Sequence, residues 1–96
     1  MVVETKRFDA AEVLTDSDRI VAYLEEAFAD GDPGMIASAI GDVARARNIA
    51  AIARDTGLTR ETLYRAFAPG GNPTLATMTS VIKALGLQLS IRPAVG

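Results

Sequence analysis

The side chains in this sequence that are best suited to binding chemistry lie between residues 54 and 72. Arginine can donate two hydrogen bonds to a guanine edge, threonine can bond a base or a phosphate, and tyrosine usually contacts the DNA backbone. We expect Arg60 and Arg65 to reach base edges and the others to contact mostly phosphates. The full set of expected DNA contacts is Arg54, Thr59, Arg60, Thr62, Tyr64, Arg65 and Asn72.

A pair of short helices with a tight turn between them, over residues 49–67, is predicted to present these side chains. Ile49, Ile52 and Ala53 recur at i, i+3 and i+4, which places them on one helical face. Gly57 ends this first helix, because glycine adopts the left-handed conformation that other residues resist at a helix terminus.

The second helix of the pair is predicted to begin after Thr59, whose side chain can accept a hydrogen bond from a free backbone N–H. Leu63, Ala66 and Phe67 form its apolar stripe, which leaves the arginines on the outer face. Such spacing of a small residue, a turn glycine and an aliphatic residue is typical of a helix-turn-helix, whose second helix reads the major groove. The alternative is an ordinary pair of packed helices with a solvated charged face.

The composition indicates one small domain of 96 residues, 49% hydrophobic and 23% charged. Cysteine and histidine are both missing from it, which excludes disulfides, the usual zinc ligands and the commonest general base. No carboxylates are spaced as a buried catalytic dyad. We therefore expect a binding protein and not an enzyme, with no cofactor, metal or small-molecule substrate. The sequence has no membrane-spanning run and no signal peptide, so we expect no membrane partner and a cytoplasmic location.

Charge is divided unevenly along the chain. Residues 1–32 contain nine acidic and three basic residues, a balance of −6, whereas residues 33–96 contain three acidic and seven basic residues, a balance of +4. Five of those seven bases fall between Arg45 and Arg65. A basic patch of this kind suits phosphate binding, and the acidic part suits a basic protein partner. The alternative for the acidic part is plain solvation of a helix surface.

The remaining apolar periodicity predicts a short helix over 8–14 and longer helices over 16–30, 33–47 and 74–85. Gly41 lies inside a helix, where it costs roughly 1 kcal/mol relative to alanine, and the sequence does not reveal a packing partner for it. The expected inward face of the last helix consists of Leu75, Met78, Ile82 and Leu85.

Three residues between the helices predict their boundaries. Asp32 is expected to cap the helix over 33–47, and Pro33 to begin it, because a missing N–H costs nothing at the first helical position. Asn48 is expected to cap the helix that follows.

The C-terminal segment alternates apolar and polar residues over 87–92, the period of a half-buried strand. Because a lone strand cannot satisfy its backbone, we expect it to pair with its own copy in a dimer or with a partner's sheet edge. An irregular tail laid over the core is the alternative. The predicted organisation is an N-terminal arm over 1–15, a helical domain over 16–86 and a strand or tail over 87–96.

Several motifs resemble those of the addiction-module antidote (antitoxin) proteins, a HigA-like subgroup of the lambda-repressor-like (Xre/Cro type) DNA-binding domains. They run through nearly the whole chain: F-D-A-A-E-V-L, Y-L-E-E-A-F-A-D-G-D-P, I-G-D-V-A-R-A-R, I-A-R-D-T-G-L-T-R-E-T-L-Y-R-A-F and G-N-P-T-L-A-T. The resemblance implies an all-α fold, a five-helix lambda-repressor-like domain with a short N-terminal helical segment and a short C-terminal β-strand.

The same resemblance implies a cytoplasmic antitoxin of a type II module. Such a protein neutralises a small basic toxin of the RelE/HigB-like ribonuclease class, and binds double-stranded operator DNA as a dimeric autorepressor. The alternative is a stand-alone phage-type repressor without a toxin partner. This chain departs from the family at Ala50 and Ala51, where polar residues that meet phosphate are usual.

Overall fold

The computed structural model describes residues 17–94, and its regular structure is helical throughout that range. The five helices are α1 (Ser17–Asp30), α2 (Pro33–Arg47), α3 (Ile49–Thr56), α4 (Arg60–Ala66) and α5 (Leu75–Ala84). The prediction of an all-α fold with five main helices is therefore confirmed. The predicted short helix over 8–14 and the arm over 1–15 lie outside the described residues, as do residues 95–96. The division into arm, domain and tail stays a prediction.

The junction between α1 and α2 forms as its residue types predict. Gly31 has a positive φ of 82°, which reverses the chain direction after α1. The Asp32 carboxylate then accepts a hydrogen bond from the backbone N–H of Met35 at 2.9 Å, and Pro33 is the first residue of α2. The cap and the proline fix where α2 begins.

Helix α2 lies at the centre of the core and packs against α1, α3 and α4, while α3 packs against α4 and α5. Its Ile40 and Val43 are completely buried, so this helix has apolar neighbours on several sides. All five helices contribute to the core, whose larger side chains are Ile20, Leu24, Ile40, Val43, Ile52, Leu63, Phe67, Val81, Ile82 and Leu85.

The glycine inside α2 has a packing partner that the sequence could not reveal. A Cβ built on Gly41 would lie 2.6 Å from the carbonyl oxygen of Phe67 and 2.9 Å from its Cβ. Real Cβ atoms do not approach other heavy atoms so closely, so the glycine is required by close approach of α2 to the end of α4.

A polar contact joins α1 to α2 at the edge of the core. The Tyr23 hydroxyl donates to Oδ2 of Asp42 at 2.7 Å, and Oδ1 of Asp42 accepts from Nη2 of Arg45 at 2.7 Å. Burial raises the pKa of Tyr23 from 10.0 to about 12, with the hydrogen bond to Asp42 as the second cause.

Two sequence-based expectations need correction. Leu75 does not share the inward face of α5, because its side chain is 70% exposed, whereas Ile82 and Leu85 are buried as predicted. Leu75 is the first residue of α5, and the apolar stripe there extends past the edge of the core.

The second correction concerns the C-terminal strand, since no residue within 17–94 is in a strand and residues 87–94 are irregular. A strand needs a ladder partner, and the described helices offer none. Leu89 is 41% exposed and Ile91 is 99% exposed, so the alternation does not produce a buried side. The tail instead lies along α1, where Nη2 of Arg92 is 3.2 Å from Oε2 of Glu25.

Replacing Tyr23 by phenylalanine is expected to lower the free energy of unfolding by about 1 kcal/mol at neutral pH, because one hydrogen bond to a carboxylate is lost. Folding raises the pKa of Tyr23 from 10.0 to about 12, so the contribution of its hydroxyl is complete below pH 10 and is lost as the pH rises towards 12. Urea unfolding across this range measures both effects. Tyr64→Phe is the matched control. Tyr64 is 45% exposed, so removing its hydroxyl should change the free energy of unfolding little. An alkaline stability loss that is equal in wild type and Tyr23→Phe would contradict the assignment.

Candidate nucleic-acid interface

The turn between α3 and α4 depends on the backbone of Gly57. This residue has φ 78°, ends α3 in the left-handed conformation, and donates its N–H to the carbonyl oxygen of Ala53 at 2.9 Å. A Cβ on Gly57 would meet nothing within 4 Å. Glycine is therefore needed here for its conformation and not for space, as the sequence predicts.

Thr56 holds the chain as it leaves α3, a role that the sequence analysis missed. Its hydroxyl donates to the carbonyl oxygen of Ile52 at 2.8 Å and accepts from the N–H of Leu58 at 3.2 Å. Leu58 is half-buried against the core. A threonine just before a turn glycine is the signal that could have revealed this contact, because threonine hydroxyls readily bond nearby backbone groups.

Thr59 caps α4 as predicted. Its side-chain oxygen accepts from the N–H of Thr62 at 3.0 Å, and its hydroxyl lies 2.8 Å from that of Thr62. The hydroxyl of Thr59 is therefore occupied within the protein, which gives the residue a structural role at the start of α4.

The two sides of α4 have opposite character. Leu63 and Phe67 are 1% and 2% exposed, whereas Arg60, Tyr64 and Arg65 are exposed to solvent. Nη1 of Arg65 is 4.0 Å from Oε2 of Glu61, which lies one turn earlier in α4, and both side chains are more than two-thirds exposed. An exposed ion pair of this kind contributes little to stability, so Arg65, like Arg60, can bind a ligand.

A shallow depression of about 590 Å³ lies between α4, the loop after it and the first turn of α5. It brings together three of the seven predicted residues, Thr62, Arg65 and Asn72, and adds Thr74 and Thr77, which the sequence analysis did not assign to the site. Thr74 caps α5 by accepting from the Thr77 N–H at 3.1 Å. In the sequence, a threonine directly after Pro73 and before an apolar run is the signal that could have indicated this cap.

Arg54 is exposed in the last turn of α3 and is not among the residues that line this depression. The N-terminus of α3 is capped by Asn48, whose side-chain oxygen accepts from the N–H groups of Ala50 and Ala51 at 3.0 and 3.2 Å. The cap occupies these amides, and the two side chains are methyl groups. The groups near the start of α3 that could bind a phosphate are therefore those of Arg45 and Arg47, in the last turn of α2.

The described residues contain no group of three or more acidic side chains that could hold a metal ion. None of the helices between residues 17 and 94 combines the length and the apolar character needed to cross a membrane.

Taken together, the geometry is that of a small all-helical protein whose short helix α4 presents exposed arginines. A family model described as "Probable addiction module antidote protein" matches residues 4–93. A Haemophilus influenzae protein, described as uncharacterized, is 48% identical over 92 residues, which cover 96% of this chain and 95% of that protein. The chain thus belongs to the addiction-module antidote family, and a toxin partner follows in general from that membership. No solved structure matches the chain.

Removing the cap of α4 is expected to destabilise the protein. Thr59→Ala loses the acceptor for the Thr62 N–H, which costs about 1 kcal/mol at a helix N-terminus. Thr59→Ser keeps the hydroxyl and is the control. Urea unfolding followed by circular dichroism measures the difference, and equal stability of the two variants would contradict the role of the cap.

Proposed function

We propose that this chain is the antitoxin of a type II toxin–antitoxin module that neutralises a small basic toxin of the RelE/HigB-like class and represses its own operon. In this proposal it acts in the cytoplasm as a homodimer, and it is a binding protein and not an enzyme. The exposed arginine-bearing side of α4 is the observation that carries the DNA-binding part.

The shape of the α3–α4 pair supports groove binding. Helix α4 has seven residues, which makes it about 10 Å long, and the major groove of DNA is wide enough to admit one helix. Arg60 is the first residue of α4 and Arg65 lies in its last turn. In this lambda-repressor-like interpretation, both reach base edges, while Tyr64 contacts the backbone.

Residues around α4 supply further backbone contacts in the proposal. These contacts are assigned to Arg54 in the last turn of α3, and to Thr62 and Asn72, which line the same depression. A dimer would present two such helices to a palindromic site about one helical turn apart. Affinity for DNA would then fall steeply with salt.

Toxin neutralisation is assigned to the opposite charge on α1. Glu26 and Asp30 are exposed, form no ion pair with another described residue, and lie four residues apart on one helical face. They line a groove with Met35 of α2, whose side chain is 57% exposed. An acidic rim beside an exposed apolar side chain complements a basic protein surface.

A stand-alone repressor without a toxin is the second candidate, and the basic surface around α4 would support it equally well. Co-expression with the toxin gene expected beside this one separates the two candidates. Protection of cells supports the antitoxin, whereas DNA binding without protection from any neighbouring gene product supports the stand-alone repressor.

The DNA contacts are tested by Arg60→Ala combined with Arg65→Ala. Each lost bidentate base contact costs about 1–3 kcal/mol, so the double variant is expected to lose most of its affinity for the DNA upstream of its own gene. Fluorescence anisotropy at fixed salt measures this loss. Arg92→Ala removes an equally exposed arginine that contacts α1, and should leave binding unchanged. Unaltered affinity in the double variant would rule out the groove assignment.

The toxin contacts are tested by reversing charge on α1. The double variant Glu26→Lys/Asp30→Lys is expected to lose protection against the toxin while keeping DNA binding, because like charges would meet at the interface. Glu61→Lys on α4 is the matched control, because its side chain is also exposed, and it should keep protection. Full protection by the α1 variant would show that the toxin binds elsewhere.

A further inference from the structure

The carboxyl end of α4 is approached on two sides by glycine backbone. From α2, Gly41 comes so near that an added Cβ would lie 2.6 Å from the carbonyl oxygen of Phe67 and 2.9 Å from its Cβ. From the loop after α4, an added Cβ on Gly71 would overlap the carbonyl oxygen of Ala66 and lie 2.7 Å from that of Arg65.

Conformational freedom does not explain these two glycines. The positive φ values among the described residues belong to glycines 31, 57, 70 and 86, and not to Gly41 or Gly71. Gly41 also lies inside α2, where alanine would favour the helix. Their common property is that the atoms opposite them are mainly backbone, which cannot rotate away as the end of a long side chain can.

We propose that Gly41 and Gly71 are positioning residues for DNA recognition, which fix the direction in which α4 points. This proposal rests on the proposed operator binding. The two glycines let α2 and the loop close on the last residues of α4, so its end is held between them. The other end of α4 is fixed separately by the Thr59 cap and the Gly57 turn.

The arrangement has a specific consequence for binding. A side chain at residue 41 or 71 would push the end of α4 away and tilt a helix only about 10 Å long. Bidentate contacts between arginine and a base need close alignment, whereas contacts with phosphate are largely electrostatic and tolerate displacement. A tilt should therefore reduce discrimination between sequences and leave general attraction to DNA.

The experiment compares Gly41→Ala and Gly71→Ala with Gly34→Ala. Gly34 also lies in α2, but an added Cβ would meet only the end of the Asp32 side chain, at 3.3 Å. Dissociation constants are measured for the duplex upstream of the gene and for a scrambled duplex of equal length. Circular dichroism selects a temperature at which every variant is folded. If Gly41→Ala does not fold, Gly71→Ala in the loop provides the test alone.

In Gly41→Ala and Gly71→Ala, we expect the ratio of the affinity for the upstream duplex to that for the scrambled duplex to fall about tenfold or more. Their affinity for the scrambled duplex should stay near that of wild type, as should both affinities of Gly34→Ala. A purely structural role would lower both affinities to a similar extent, and that result, or an unchanged ratio, would overturn the proposal. If wild type itself does not prefer the upstream duplex, the proposed operator binding has failed instead.

Discussion

Burial of one side of α4 is the constraint on which the rest of this structure depends. Leu63 and Phe67 are almost completely enclosed, whereas Arg60 and Arg65 of the same segment are exposed. A helix of seven residues is too short to be stable by itself in water. Its direction is therefore set by core packing and by the cap at Thr59, and the rest of the domain acts as the support for this helix.

In the proposed function, acidic and basic side chains on different helices give the toxin and the DNA different parts of the surface. Glu26 and Asp30 are exposed on α1, which packs against α2, whereas the exposed Arg54, Arg60 and Arg65 belong to α3 and α4. The network that joins Tyr23, Asp42 and Arg45 fixes α1 on the helix that also supports α4. The proposed toxin surface and the proposed DNA surface would then rest on one helical core without sharing side chains.

Local signals in the sequence were sufficient for the helix boundaries, because capping and turn contacts join residues within about four positions. Gly57 and Thr59 act as their types predict, and so the α3–α4 pair could be placed in advance. The contact of Gly41 with Phe67 could not, because it joins residues far apart in sequence. Leu75 was misplaced because periodicity does not show where the core ends. The tail was misinterpreted because alternation predicts a strand only where a ladder partner exists.

An NMR titration of the uniformly labelled protein with the duplex upstream of its gene tests most directly whether the outer side of α4 meets DNA. If that side meets DNA, the largest amide shift changes fall in residues 59–65 and at Asn72, with α1 almost unaffected. Shift changes concentrated on α1, or their absence from α4 at saturating DNA, would contradict the claim that the outer side of α4 is the surface that meets DNA.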